Sequence, residues 1–499
     1  METTPTGAAG TAPPLANRAT RTGHDLQAAF QLGEFSLAGQ RHRLSIGGGW
    51  ATNHVRNGWR APSDVNLITA DSVPAFVVVL NTPRDSRARI RNASAYIQDE
   101  VKISPWLAAD FSVVGDFASG QTISWNSASP RVGFSLTPLP RLVLRAGYAR
   151  LRSPLAGRYL DYGESNSLGG AQYLWNDANG DGLWTPGETG PLVLRFGSPY
   201  SSIDHNLRRP YADEFNVGAQ TTLPHGFRMS LRLFRRDEKD RIAAINEGVP
   251  DAAFSPVAVL DPGPDGTTGT FDDQNLTVYA QDPSTLGQDW YLLTNPPGLR
   301  MRNQGLVAEI TGHWRLAAVQ ASFMAVKSRG PTNPGNGVLE NDAGVVGALY
   351  QDPNTLVHAA GRTYFDRAYV GKVRMSTTLP RRLGALELAN TADYLDGLAF
   401  GRRLLIKGLP QGPFLVAATV RGSPEGGNRT QYLLNWNLRV GRTLRFSRGG
   451  LGLSMEVLNV LNGGAKMQES DATGPLFNQR LPLALQPPRF VRFTIEYLF

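Results

Sequence analysis

The closing stretch Pro488 to Phe499, PRFVRFTIEYLF, constrains the fold of this chain more than any other segment. Val491, Phe493, Ile495, Tyr497 and Phe499 recur at period two and share one face of an extended strand, while Arg492, Thr494 and Glu496 share the other. A helix would scatter both sets around its circumference. The segment therefore reads as a strand with one face toward an apolar medium and one toward water.

The same alternation recurs along the chain. It is clear at Val132/Phe134/Leu136, Phe215/Val217/Ala219, Phe227/Met229/Leu231/Leu233, Tyr369/Val373/Met375, Tyr432/Leu434/Trp436/Leu438/Val440 and Leu451/Leu453/Met455/Val457, with polar residues between. No comparably long segment holds a period of 3.6, so the chain reads as nearly all β. Connections alternate in length. Short ones carry turn residues, at Ala38–Gln40, Ser104–Pro105, Thr137–Pro140, Leu223–Gly226, Leu379–Gly384 and Thr443–Gly449. Between them lie long polar segments near 54–90, 151–210, 239–303, 328–364, 396–429 and 462–487, with a shorter one near 119–127.

Tight turns on one side and long loops on the other are the arrangement of an outer-membrane barrel, and compact soluble domains rarely carry several structureless loops beyond ~15 residues. The longest obvious apolar run, Ala75 to Leu80, is six residues, far short of the ~18 that a membrane-spanning helix needs. Barrel strands need no such run, because only one face meets lipid. The fold class is accordingly all-β, an antiparallel transmembrane β-barrel with long extracellular loops, located in the outer membrane of a Gram-negative bacterium. About fifteen strands are visible, the first around His24 to Ala38. Residues 1–23 are expected to be disordered and 24–499 to form the barrel. An odd count, together with an N-terminus (METTPTGAAGTAPPLANRAT) that lacks a secretory leader pattern, leads to the expectation that the chain is truncated at its N-terminal end.

Absence of cysteine removes disulfide frameworks, thiol nucleophiles and cysteine-based zinc sites from the 499 residues. The formal charge of +8 does not come from a cluster. Many arginines lie on the polar face of alternating strands, as Arg141 and Arg145 do against Leu142, Leu144, Ala146 and Tyr148. A basic lumen or a rim facing anionic lipopolysaccharide explains this distribution, and no nucleic-acid partner is expected.

Several stretches together resemble the C-terminal barrel portion of TonB-dependent outer-membrane receptors, particularly the Oar-like group with a carboxypeptidase-regulatory-like domain. They are RHRLSIGGGW (41–50), ASAYIQDEVKISPWL (93–107), SPRVGFSLTP (129–138), LRAGYARLRSP (144–154), RPYADEFNVGAQ (209–220), MEVLNVLN (455–462) and the closing PPRFVRFTIEYLF. The resemblance implies a barrel of about 22 strands, of which the visible ones would be the last. It also implies that Phe493, Ile495, Tyr497 and Phe499 form the signal read by the barrel-assembly machinery. No plug domain or TonB box precedes the strands in this sequence, so coupling to the TonB complex is expected only where those parts are supplied.

Two acidic segments stand out as metal sites. Asp177 to Glu188 matches D-x-N-x-D-G-x5-E, the spacing of a Ca²⁺ loop, with side-chain oxygens from Asp177, Asn179 and Asp181, the Leu183 carbonyl and the Glu188 carboxylate as ligands. A solvated Asn/Gly/Asp turn is the alternative. Asp261, Asp265, Asp272 and Asp273 form a second acidic, glycine-rich stretch that fits no strict template. Apart from calcium no cofactor is implied, and the scattered histidines and missing nucleophile motifs point away from an enzyme. Trp50, Trp59, Trp106, Tyr148, Trp314, Tyr394 and Trp436 suit an interfacial aromatic girdle. His313, beside Trp314, reads as a turn or lumen residue.

The expected function is uptake of a scarce small nutrient, such as a metal chelate, glycan or peptide, through the outer membrane. A plug-less passive porin or surface adhesin on the same barrel, and a soluble secreted β-protein with calcium-stabilised loops, are the alternatives.

Overall fold

The computed structural model describes residues 16–70, 72–331, 346–363, 366–422, 428–447 and 449–498. Phe499, the last residue of the expected assembly signal, lies outside them.

One sheet of seventeen strands dominates, fifteen of them long. In chain order the long strands are β1 (Ala16–Gln31), β2 (Gln40–Arg60), β3 (Asp85–Ser104), β4 (Leu107–Gly120), β5 (Ile123–Leu139), β6 (Leu142–Arg152), β7 (Tyr211–Thr222) and β8 (Arg228–Lys239). They continue with β9 (Met301–Trp314), β10 (Ala317–Pro331), β11 (Tyr369–Thr378), β12 (Glu387–Leu395), β13 (Leu433–Phe446), β14 (Gly449–Leu458) and β15 (Phe490–Leu498). Each pairs antiparallel with the next, from β1 with β2 through to β14 with β15. The result is an unbroken up-and-down meander, the arrangement of a transmembrane barrel wall. Two short pieces, Phe35–Leu37 and Ala360–Arg362, add to β2 and β10. The first strand begins at Ala16, because residues 16–23 pair residue by residue with Asn53–Arg60. Residues 16–23, expected to be disordered, are therefore strand, and the residues before 16 lie outside the described ones.

Register carries the period-two pattern across the whole sheet. Phe215 stands opposite Tyr148, Val217 opposite both Ala146 and Leu233, and Leu231 opposite Ala219 and Ala308. Phe493 stands opposite Met455 and Ile495 opposite Leu453. These side chains form one continuous outward face. Phe215, Val217, Leu233, Phe493 and Ile495 are each at least half exposed, which in lipid is burial. The other face is polar: Arg145, Gln220, Ser230, Arg232 and Glu309 sit together on the lumen side of β6 to β9. Of the seven aromatics read as a girdle, six are outward or at a turn. Trp59 differs, because an odd position on β2 falls on the lumen side when Ile46 and Trp50 face out.

The turns fall where the sequence places them, with two refinements. Residues 119–127 hold no loop: Gly120 pairs with Ile123 and Gln121 takes a left-handed φ of 45°, so β4 and β5 are joined by a tight turn. A further short turn at Arg315–Leu316 joins β9 to β10, with Arg315 at φ 55°. His313 lies just before it, on the lumen face of β9 opposite Ala318.

The long segments are not structureless. They build small sheets of their own, including a four-stranded one of Val65–Ala70, Val73–Leu80, Gly169–Trp175 and Thr189–Gly197. The apolar run within Val73–Leu80 is buried on both faces there, which explains why it does not alternate. Among the described residues no helix is long and apolar enough to cross a membrane.

Candidate functional site: the cap of long loops

All six long segments emerge at one end of the sheet, so their sub-sheets meet over the mouth of the wall. Inward side chains Ile90, Ala118, Ile123 and Trp125 pack against Leu155, Tyr159, Leu160, Leu207, Ile242 and Leu293 from the loops. The Trp125 indole donates to the Leu207 carbonyl at 2.8 Å. A second cluster, containing Leu276, Val278, Ile406, Leu409 and Val416, joins the 239–303 segment to the 396–429 segment. The cap is thus a packed layer with its own core.

Ion pairs lock this layer. Arg402 and Asp261 are both essentially unexposed and meet in a bidentate pair, with both guanidinium nitrogens at 2.6 Å from the carboxylate. The same Arg402 donates to the Gly263 carbonyl and to the Thr473 hydroxyl, so one side chain ties three long loops together. Arg403 pairs with Asp471 at 2.7 Å and Arg480 with Glu469 at 2.6 Å. Removing one partner of such a buried pair leaves an uncompensated charge at a cost of roughly 3–5 kcal/mol. Arg402 carried no visible signal in the sequence, since an arginine in a long loop segment reads as solvated.

The two acidic segments have different fates. In the first, one oxygen each from Asp177, Asp181 and Glu188 lies within 4.8 Å of the others. Gly180 and Gly182 adopt φ of 71° and 68°, which bends the loop back on itself. Asp177 accepts from the Gly182 amide at 3.1 Å, Asn179 from the Asp181 amide at 2.9 Å, and Glu188 from the Thr185 amide at 2.8 Å. Glu188 is buried, and the second oxygen of Asp177 is buried without a hydrogen-bond partner. Leu183 follows the bend with its side chain exposed. The loop connects two strands of the cap sheet rather than two helices.

The second segment is not gathered in this way. Asp261 is committed to Arg402 and Gln274. Asp265 accepts from the Thr267 amide, Asp272 from the Thr270 hydroxyl, and Asp273 from the Gly269 amide. Asp265, Asp272 and Asp273 each serve a local turn and Asp261 a distant arginine, so the four carboxylates do not converge on one point.

Two further acids, half-buried Asp352 and buried Asp289, were not singled out by sequence. Burial pushes the Asp352 carboxyl up to about 6, against the hydrogen bond it accepts from the Asn354 amide, and the neighbouring Asp289 adds to the rise. Burial also raises Asp289, although the Arg195 amide and the Asn246 side chain both donate to it. Asp261 moves the other way: burial raises it, but the hydrogen bonds from Arg402 and Gln274 outweigh that and hold it below the usual carboxylate range.

An alternating apolar wall, a polar lumen and a packed cap at one end define an outer-membrane β-barrel of the receptor type. A family model described as TonB dependent receptor-like, beta-barrel, matches residues 2–459, and the chain belongs to that family. The family is one of outer-membrane receptors and transporters of Gram-negative bacteria, not of enzymes. No curated protein sequence matches the chain. Among solved structures it is similar to the outer membrane transporter YddB from Escherichia coli, with a TM-score of 0.57 and 13% identity over 96% of this chain and 54% of that one. It is also similar to the ferripyoverdine receptor of Pseudomonas aeruginosa bound to ferripyoverdine, with a TM-score of 0.52, 12% identity, and 99% and 50% of the two chains covered. A third is the ferric-catecholate import receptor Fiu of E. coli K12, at 0.54 and 11%, covering 97% and 55%. The chain spans about half the length of these structures. The match is to the family as a whole and does not single out the Oar-like group.

The opposite shifts of Asp352 and Asp261 set a pH profile for the cap. With a folded value of about 6 above an ordinary 3.8, Asp352 contributes stability below 3.8 that is lost as pH rises through about 6. Asp261, depressed below 3.8, contributes stability above that value that is lost on stronger acidification. Hydrogen exchange of Tyr291–Thr294 and the Pro353–Leu356 turn, corrected for the intrinsic rate, should therefore show more protection at pH 5 than at pH 7. Asp352→Asn should remove that difference; a difference that survives the substitution would show that another group sets it.

Proposed function

We propose that this chain forms wall and cap of a receptor that takes up a scarce small nutrient across the outer membrane. The observation that carries the reading is the cap itself. A passive porin needs an open mouth, whereas here loop residues Tyr159, Leu160, Leu207 and Leu293 pack onto the inward wall and Arg402 cross-ties three loops. A covered mouth suits a protein that binds its cargo before admitting it. The solved ferripyoverdine receptor is bound to ferripyoverdine, and the arginine-bearing lumen face of β6 to β8 in this chain would suit an anionic cargo. Coupling to the TonB complex is proposed for the polypeptide that also carries a plug and TonB box, and insertion for a chain delivered to the barrel-assembly machinery. Labelled ferric chelates, glycans and peptides supplied to cells producing the full-length protein should include one that accumulates only while the TonB complex is present. Accumulation indifferent to that complex would favour the passive porin, and none at all with cell attachment intact would favour an adhesin.

We also infer that the Asp177–Glu188 loop holds a calcium ion, supported by the convergence of Asp177, Asp181 and Glu188 and by the unpartnered buried oxygen of Asp177. Asn179 and the Leu183 carbonyl would complete an all-oxygen set suited to a hard cation. Extracellular sites of this kind bind at ~10⁻⁴–10⁻³ M, so the ion would order this loop when calcium is well above that range. Chelation should increase proteolysis between Tyr173 and Pro191 while the barrel stays folded. Asp181→Ala with Glu188→Gln should give the same cleavage in saturating calcium; a digestion pattern indifferent to chelator would leave a plain turn.

A further inference from the structure

On the lumen face of β4 to β9, charge is distributed unevenly between the two ends of the wall. At the cap end it is neutralised: Arg236 lies 3.5 Å from Glu214 and 3.2 Å from Glu238, and Asp116 is held by Arg209. Toward the short turns it is not. Arg141, Arg228 and Arg232 are exposed and have no hydrogen-bond or ion-pair partner among the described residues. Exposed Arg145 meets only the neutral side chain of Gln220, at 3.5 Å.

These arginines form two level pairs astride β7. Gly218 stands opposite Arg145 on one side and Arg232 on the other. Thr222 stands opposite Arg228, and its amide donates to the Arg141 carbonyl at 3.1 Å, so Arg141 and Arg228 flank it in the same way. Between the pairs lies a neutral row, Val143–Gln220–Ser230. Period two keeps all of these on the lumen side. Members of a pair stand two strands apart, about 10 Å, and the pairs follow one another at about 13 Å along the strands. Gly218 has no side chain to fill the interval between Arg145 and Arg232. A cavity of about 410 Å³ remains there, lined also by Asn216, Gln220 and Ser230. The lumen acids Glu309, opposite Ser230, and Asp110, opposite Gly133, form no ion pair with these arginines.

Two guanidiniums about 10 Å apart are separated by roughly one Debye length at physiological salt, so they repel weakly in a watery lumen. An oxyanion between them accepts hydrogen bonds from both, and the planar donor fork of arginine matches the paired oxygens of phosphate and carboxylate. Asn216, Gln220 and Ser230 add neutral donors at the same level. The second pair repeats the arrangement one step nearer the short turns. We propose that Arg145 with Arg232, and then Arg141 with Arg228, are two successive binding steps for small oxyanions, phosphates or carboxylates of at least two charges, on the way from beneath the cap to the short-turn mouth. The inference rests on the reading of the lumen as an uptake path and gives that path a chemical class of cargo.

The test uses the full chain purified from outer membranes in detergent at low ionic strength. Isothermal titration calorimetry reads the equivalents of pyrophosphate and of citrate bound, and heat-modifiable gel mobility reports whether each variant is folded. The wild type should bind two equivalents of at least one probe; pyrophosphate alone assigns phosphates, citrate alone carboxylates, and both assign oxyanions generally. Arg145→Gln with Arg232→Gln should lose one equivalent and Arg141→Gln with Arg228→Gln the other. Arg87→Gln, on the outward face of β3 opposite Arg56, should lose neither. Should a double variant not fold, Arg232→Gln or Arg228→Gln alone replaces it, with the same loss expected. Fewer than two equivalents in the folded wild type, lumen variants that bind as the wild type does, or an equal loss in Arg87→Gln would each overturn the proposal and leave the arginines to an acidic segment of the polypeptide. Uptake is scored separately in cells: binding without accumulation of any labelled cargo fails the uptake reading alone, and accumulation without binding fails this inference alone.

Discussion

A bilayer core offers no hydrogen-bond partner to the backbone, and that constraint organises everything else in this molecule. Each strand from β2 to β14 answers it by pairing on both sides, so its amides and carbonyls are used within the sheet. Once the backbone is satisfied in this way, side chains alone decide what each face can touch. The period of two then separates Leu231, Leu233 and Ile310 from Ser230, Arg232 and Glu309 without any tertiary packing beneath them.

The cap is a consequence of the same meander. Antiparallel strands return every second connection to the same end, so six long segments are held side by side over one mouth. Packing there obeys ordinary soluble rules: apolar clusters, hydrogen-bonded turns and buried ion pairs such as Arg402 with Asp261. A carboxylate and a guanidinium without exposure are tolerated because two short hydrogen bonds join them and Gln274 and Thr473 use the remaining valences.

The wall was legible in the sequence because its signal is redundant. Fifteen strands, the outward parity of the last one and the alternating turn lengths all follow from one repeated pattern, and a one-residue slip would expose the wrong set throughout. Trp59 was misassigned because an aromatic near a strand end carries no parity by itself. The cap was not legible. Its strands are short, such as Ala243–Asn246 and Phe414–Ala417, and their partners lie far apart in sequence. Only the apolar run in Val73–Leu80 announced a buried element, and it was read as too short for a helix rather than as a cap strand. Asp177, Asp181 and Glu188 were found because a ligand spacing is local, whereas Asp261 finds its partner 141 residues away and local spacing says nothing about that.

The central claim is that the face carrying Leu231 meets lipid and the face carrying Ser230 meets water. It is tested most directly by reversible unfolding of the protein in lipid bilayers, comparing Leu231→Arg with Ser230→Arg on the same strand. Arginine at Leu231, between Ala219 and Ala308 on the outward face, should destabilise the folded barrel by ~2–4 kcal/mol near the midplane. Arginine at Ser230, across from Glu309 and Gln220, should cost less than ~1 kcal/mol. Equal losses at the two positions, or a larger loss at Ser230, would contradict the account.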